Sequence, residues 1–254
     1  MVAAVESTVE NGVYWIILNR PKKLNALNRE TWILLESNFE KACNGDYRGI
    51  VLTGRGRAFS SGDDIYDMYS FKSLSEAKEF FHRIYRIIKM LVYCKKPLAS
   101  LVNGLAAGGG GEIILFLDYN VALEHVEIFY PEANIGLYPP MLITHGKRVV
   151  GPDLAMELAT TARRLSAEEA LKIGIIDDIA SSIDEAHDKI EEWIKKVNLN
   201  PDLNKKWRRS RVGEYLDEIK KIIDSLAEKA LTPEAREMMG RVINEWQRKK
   251  KGGE

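Results

Sequence analysis

The sequence predicts an α/β fold with a largely parallel sheet. Three observations predict it. Short apolar runs alternate with segments of helical period over about the first 150 residues. A run of four glycines, Gly108 to Gly111, joins a strand-like segment to a helix-like one. Beyond residue 150 the helical period takes over.

Val13 to Leu18 is an unbroken apolar run that reads as a buried strand, ended by Asn19-Arg20-Pro21. Asn28 is placed to cap a helix running to about Ala42, with Trp32, Leu35 and Phe39 on one face. Gly49 to Thr53 is a second strand, followed by the loop Gly54-Arg55-Gly56-Arg57. Ser75 to Val92 reads as a long helix and Leu98 to Val102 as a third strand. Tyr119 to Leu123 and Ile128 to Tyr130 are further short strands. A helix from Pro152 to Ala159 follows, then a capping box, Ser166-Ala167-Glu168-Glu169, opening a short helix that Gly174 ends. Ile183 to Val197 is helical, with Ser182 or Asp184 as its cap. Asn198-Leu199-Asn200-Pro201 reads as a boundary, giving a core of residues 1–197 and a helical region of residues 198–254. In the latter, Gly213 to Ala230 and Thr232 to Lys250 are two helices, the second with Thr at N-cap and Pro at N1. The basic stretch Arg248 to Lys251 suits a solvated helix C-terminus. No internal repeat is visible in the sequence.

The composition is that of a globular protein, and a chain of 254 residues can bury a sizeable core. Lys plus Arg equals Asp plus Glu at 37 each, so net charge gives no argument for a nucleic-acid or membrane partner. Cys43 and Cys94 are too few for a disulfide framework and lack metal-ligand spacing, which fits a reducing, cytoplasmic setting. No metal site is expected. The N-terminus lacks the basic flank and apolar stretch of a signal peptide. The four histidines are scattered, and none is assigned a catalytic role. Trp15, Trp32 and Trp193 sit on apolar faces and read as core.

Three segments carry candidate chemistry. Asn103 to Glu112 places glycines before a helix, where exposed N–H groups and the helix dipole favour negative charge, with Glu112 close by. The same glycines would also serve a tight turn or close helix–strand packing. The run lacks the Lys-Ser or Lys-Thr of a phosphate loop and the acidic residue of a dinucleotide fingerprint. Arg57 to Ile65 is a second loop that could supply a backbone donor near Gly62-Asp63, or could be a helix start with acidic residues at its positive end. The third is Tyr130 to Leu137, where Glu132 follows a proline. Alone, that glutamate reads as a solvated turn residue.

Together these segments resemble the enoyl-CoA hydratase/isomerase (crotonase) family. The resemblance runs from about Val13 to Ile179. It rests on Asn19-Arg20-Pro21 with Leu24-Asn25-Ala26-Leu27, on Ala58-Phe59-Ser60-Ser61-Gly62-Asp63-Asp64, and on Asn103-Gly104 with Gly108-Gly109-Gly110. Pro131-Glu132 with Gly136, and Arg164 to Ala170 with Gly174, complete it. Each motif is unspecific; the ordered set is specific.

The resemblance implies a spiral of β-β-α units with C-terminal helices used in a homotrimer or a dimer of trimers. It implies an acyl-CoA thioester as substrate and no cofactor, CoA being part of the substrate. The backbone N–H groups of Asp63 and Gly109 would form an oxyanion hole, and Glu112 and Glu132 would handle a water. Lys23, Leu24 and the run Asp63, Asp64, Ile65 and Tyr66 would hold the CoA moiety, mostly through backbone groups. Hydration of a trans-2-enoyl-CoA is the first reading, since both glutamates are present. Isomerisation of a 3-enoyl-CoA by Glu132 alone is the second. A non-catalytic acyl-CoA- or RNA-binding protein is the third. Two features depart from the family's usual hydratase pattern: a carboxylate at Asp63, and Leu137-Tyr138-Pro139-Pro140-Met141 in place of a glycine-rich turn.

Overall fold

A computed structural model describes residues 3–197 and 200–252. Two sheets run side by side. The larger has the order β1-β2-β3-β5-β7-β10, made of β1 Val5–Glu10, β2 Val13–Leu18, β3 Gly49–Gly54, β5 Leu98–Val102, β7 Tyr119–Leu123 and β10 Asp178–Ala180. All its pairings are parallel except β1 with β2. The smaller has the order β4-β6-β8-β9, from β4 Ala58–Ser60, β6 Leu105–Ala107, β8 Glu127–Phe129 and β9 Leu165–Ser166.

The chain therefore repeats in space although its residues do not repeat. Each turn lays one strand in the larger sheet, the next in the smaller, and then returns by helix. β3 and β4 lead to α2 Ile65–Tyr69 and α3 Leu74–Tyr93; β5 and β6 lead to α4 Gly109–Ile113; β7 and β8 lead to a 3-10 turn at Pro131–Ile135. This is the expected spiral of β-β-α units. Parallel strands need such crossovers, and their burial on both faces explains why β2 and β3 are continuous apolar runs.

Alternate residues of β2 face opposite layers. The Tyr14 hydroxyl donates to Asn38 of α1, Arg29–Asn44, while Trp15 stacks on His187 of α8, Ile183–Val197. Helix caps follow the sequence at Asn28, which accepts from Thr31 N–H, and at Ser166, which forms a reciprocal box with Glu169. Ser73, accepting from Glu76 N–H, caps α3, which starts one residue before the expected Ser75.

The remaining helices are α5 Lys147–Val150, α6 Pro152–Thr161, α7 Ala167–Lys172, α9 Pro201–Val212, α10 Leu216–Lys229 and α11 Pro233–Gly252. Sequence reading missed β1, β4, β6, β9, β10, α2, α5 and α9. The first three are short or polar, and pairing rather than composition makes them strands. α9 carries few apolar residues, and Arg208 anchors it by reaching into the body, donating to Asp118 and to the Lys96 carbonyl. The boundary expected at Asn198 and Leu199 lies outside the described residues.

The cysteines correct an expectation. Cys43, near the end of α1, and Cys94, just after α3, form a disulfide across a Cα–Cα distance of 5.3 Å. The two helices pack side by side and their C-terminal ends converge, which no spacing rule in the sequence could reveal. No described helix is long and apolar enough to cross a membrane. Among the described residues no cluster of His, Cys, Asp or Glu suits a metal ion.

Candidate active site

The site forms where the strand-to-helix loops of two successive spiral turns meet. The loop after β4 is held from below by a scaffold that explains the Asn-Arg-Pro and Leu-Asn-Ala-Leu motifs. Asn25 is buried, accepts from Arg20 N–H, and donates to the carbonyls of Arg55 and Ala58. Ser61 N–H donates to the Leu24 carbonyl. Leu27 pairs with Asp63 as a parallel bridge, accepting from Asp64 N–H and donating to the Gly62 carbonyl. In such a bridge the middle residue's own N–H points to the other side of the strand. The Asp63 N–H is thereby turned away from Leu27.

Gly109 opens α4, so its N–H has no partner within the helix. The two loops touch. A Cβ on Gly62 would lie 3.2 Å from the Gly109 nitrogen and 2.7 Å from the Ala107 carbonyl oxygen. Gly62 also has φ of +84°, and Gly108 has φ of +50°. A Cβ on Gly108 would sit 2.9 Å from Glu132 Oε1, and one on Gly109 would sit 3.1 Å from Asp63 Oδ2. The glycine run is thus flanked by two carboxyl groups, and its lack of side chains is what lets them approach.

Glu112, at the first turn of α4, is buried, and its Oε1 accepts from Met141 N–H at 2.6 Å and Leu142 N–H at 2.9 Å. Those donors come from the start of the π-helical turn Leu142–Gly146, which the Pro139-Pro140 segment introduces. The segment that departs from a glycine-rich turn therefore carries the main-chain donors that grip Glu112. Burial pushes its carboxyl well up, with Glu132 beside it adding to the shift. Glu132 lies on the 3-10 turn after β8, and its buried Oε2 has no hydrogen-bond partner. Burial pushes Glu132 up to about 8.

The Asp63 side chain also points into the site. Its Oδ1 accepts from the indole N–H of Trp32 at 2.8 Å. Burial raises its carboxyl to about 7, opposed by the indole bond and reinforced by Asp64 and Asp67. Trp32, read as core from the sequence, is buried and also orients this carboxyl. Trp32, Asp63, Gly109 and Glu112 line one cavity, closed by Ile84, Ile87 and Ile88 of α3, Ile113, Pro140, Met141 and Leu226 of α10.

Of the other residues expected to bind ligand, Asp64 to Tyr66 continue the loop after β4, and Lys23 and Leu24 lie on the loop after β2. Leu24 and Asn25 adopt left-handed backbone conformations that carry the chain under it. Asp64 pairs with Arg20 at 3.0 Å and caps α2 through Tyr66 N–H. The Ile65 side chain is buried in the core, so only its backbone can face a ligand. Lys23 Nζ lies 5.8 Å from the Tyr66 ring centre, and Tyr66 lies 6.2 Å from Trp246 of α11. Trp246 was not singled out in the sequence; its partners are 180 and more residues away. The side chains of Lys250 and Lys251 lie outside the described residues. His145, unassigned in the sequence, is buried and pushed down to about 4, a neutral core residue against Phe116.

Chemically, the loops that carry the Asp63 and Gly109 N–H groups meet beside carboxyls that cannot all ionise at low cost. That arrangement suits formation of an oxyanion next to a proton transfer.

The sequence profile of the enoyl-CoA hydratase/isomerase family matches residues 8–232. A protein named crotonyl-CoA hydratase from Syntrophomonas wolfei is 32% identical over 168 residues, 65% of this chain and 64% of that protein. A short-chain-enoyl-CoA hydratase from Clostridium acetobutylicum is 33% identical over 175 residues, 67% of this chain and 66% of that protein. The chain thus spans a little under two thirds of the length of these relatives. The crystal structure of an enoyl-CoA hydratase from Bacillus halodurans shares the fold, with a TM-score of 0.85 at 22% identity over 94% of this chain and 99% of that one.

Proposed function

The chain belongs to the enoyl-CoA hydratase/isomerase family, and from that premise we propose that it hydrates the 2,3-double bond of a short trans-2-enoyl-CoA. The observation that carries the reading is the pair of glutamates in opposite hydrogen-bonding surroundings. Burial raises both carboxyls, and the two backbone N–H groups on Glu112 Oε1 oppose that push, which makes Glu112 the member of the pair we assign the negative charge. The partnerless, buried Oε2 of Glu132 favours the protonated acid. Repulsion between the two keeps one proton on the pair.

The thioester oxygen is received by the N–H groups of Asp63 and Gly109. Glu112 takes a proton from water as the water oxygen bonds to C3, and the double-bond electrons move onto the thioester oxygen as an enolate. Glu132 delivers its proton to C2 as the carbonyl re-forms. The proton on Glu112 then returns to Glu132, so the net change is one water added. Each oxyanion donor contributes about 3–4 kcal/mol to such a step.

The similarity to proteins named crotonyl-CoA hydratase and short-chain-enoyl-CoA hydratase favours a short acyl chain. Lys23, Tyr66 and Trp246 form an exposed aromatic and cationic platform suited to the CoA nucleotide, which we include in the proposal. Glu112→Gln and Glu132→Gln are each expected to lower crotonyl-CoA hydration by about 10²–10⁴-fold while thioester binding persists. Full hydration by either variant would overturn the assignment. Isomerisation of 3-enoyl-CoA that survives Glu112→Ala, without hydration in the parent, would favour the isomerase reading.

A further inference from the structure

Asp63 carries more than a main-chain donor. Its side chain has one oxygen committed to Trp32 and the other, Oδ2, directed at the Gly109 side of the cavity. Among the described residues no donor meets Oδ2. Glu112 apart, the rest of the cavity lining is largely apolar, with Ile84, Ile87, Met141 and Leu226.

Packing alone does not explain this group. Trp32 needs one acceptor, which an amide would supply without burying an acid. Asp63 is half-buried, so water can reach Oδ2 in the free protein. An acyl group that fills the cavity displaces that water, and the oxygen is then costly unless the acyl group itself meets it. Its position beside Gly109 puts it near the carbons next to the thioester carbonyl, not near the CoA nucleotide.

We propose that Asp63 is a specificity-determining residue, and that Oδ2 selects a short acyl group bearing a hydroxyl over its plain alkyl counterpart. A hydroxyl is both donor and acceptor, so it satisfies a carboxyl in either protonation state. Sites built to hydrogen-bond a substrate hydroxyl reject the analogue that lacks it, because their own polar group is left unpaired. The inference rests on the proposed thioester site and names its substrate class.

The test compares two pairs of thioesters on the full chain. Calorimetry reads the binding of 4-hydroxybutyryl-CoA against butyryl-CoA, and kinetics reads kcat/KM for 4-hydroxycrotonyl-CoA against crotonyl-CoA. The parent is expected to favour the hydroxylated member of each pair at least about tenfold. Asp63→Ala, checked for parent-like circular dichroism, is expected to lose the preference, and Asp63→Asn to retain most of it. A parent that binds both members of the pair equally overturns the inference whether or not Asp63→Ala folds. So does a preference that survives Asp63→Ala. A binding preference without turnover would support Asp63 and sink the hydratase reading. Turnover of both enoyl esters at equal efficiency would do the reverse.

Discussion

Three carboxyls, the buried Glu112 and the half-buried Asp63 and Glu132, share one site. Their raised pKa values set the sign of two pH effects. Glu132 acts as an acid only while protonated, and it titrates near 8. Hydration should therefore hold up to about that pH and fall about tenfold per unit above it. For stability, a carboxyl raised in the folded state binds more protons folded than unfolded. Between the unfolded values near 4 and the folded values of about 7 for Asp63 and about 8 for Glu132, stability must fall as pH rises. Denaturation at pH 5 and pH 9 checks it. Asp63→Asn should flatten the decline, recovering roughly 2–4 kcal/mol at pH 9, and a decline as steep as the parent's would show the shift to be wrong. Glu112, Glu132, Asp63 and Gly109 could be named from motifs. Trp32 could not be given its role, because an indole at helical spacing looks the same whether its N–H meets a carboxyl or nothing.

At the scale of elements, the site depends on how α1 and α3 sit. α1 carries Trp32 to Asp63, and α3 walls the cavity with Ile84, Ile87 and Ile88. The Cys43–Cys94 disulfide ties the far ends of these helices together across 51 residues of sequence. In the unfolded chain that closure removes entropy, so the bond should stabilise by about 2–4 kcal/mol. Reduction, or Cys43→Ser with Cys94→Ser, is expected to lower the melting temperature accordingly, and free-thiol titration of the native protein should find none. Two reactive thiols and an unchanged melt would refute it. Long amphipathic helices and their caps were legible because each is encoded within a few residues. The short strands β4 and β6 were not, since three residues carry no period and their pairing partners lie about 45 residues away.

At the scale of the molecule, the spiral brings together a loop after β4, the start of α4 and a turn after β8, from three successive windings. α10 and α11 then cover the result, with Leu226 in the cavity wall and Trp246 beside Tyr66. The family resemblance leads us to propose self-association as a homotrimer or dimer of trimers. Light scattering should then give three or six times the chain mass of 28.8 kDa, and a monomer in solution would reject it. The amino-acid sequence by itself determined the α/β class, the main strands and helices, and which glycines and glutamates to watch, because periodicity, capping and backbone freedom are local properties. Only the tertiary structure decided that Asp63 faces inward, that Met141 and Leu142 hold Glu112, and that Cys43 meets Cys94. Those facts depend on the approach of segments tens of residues apart, where burial and the lack of competing water make single hydrogen bonds and charges decisive.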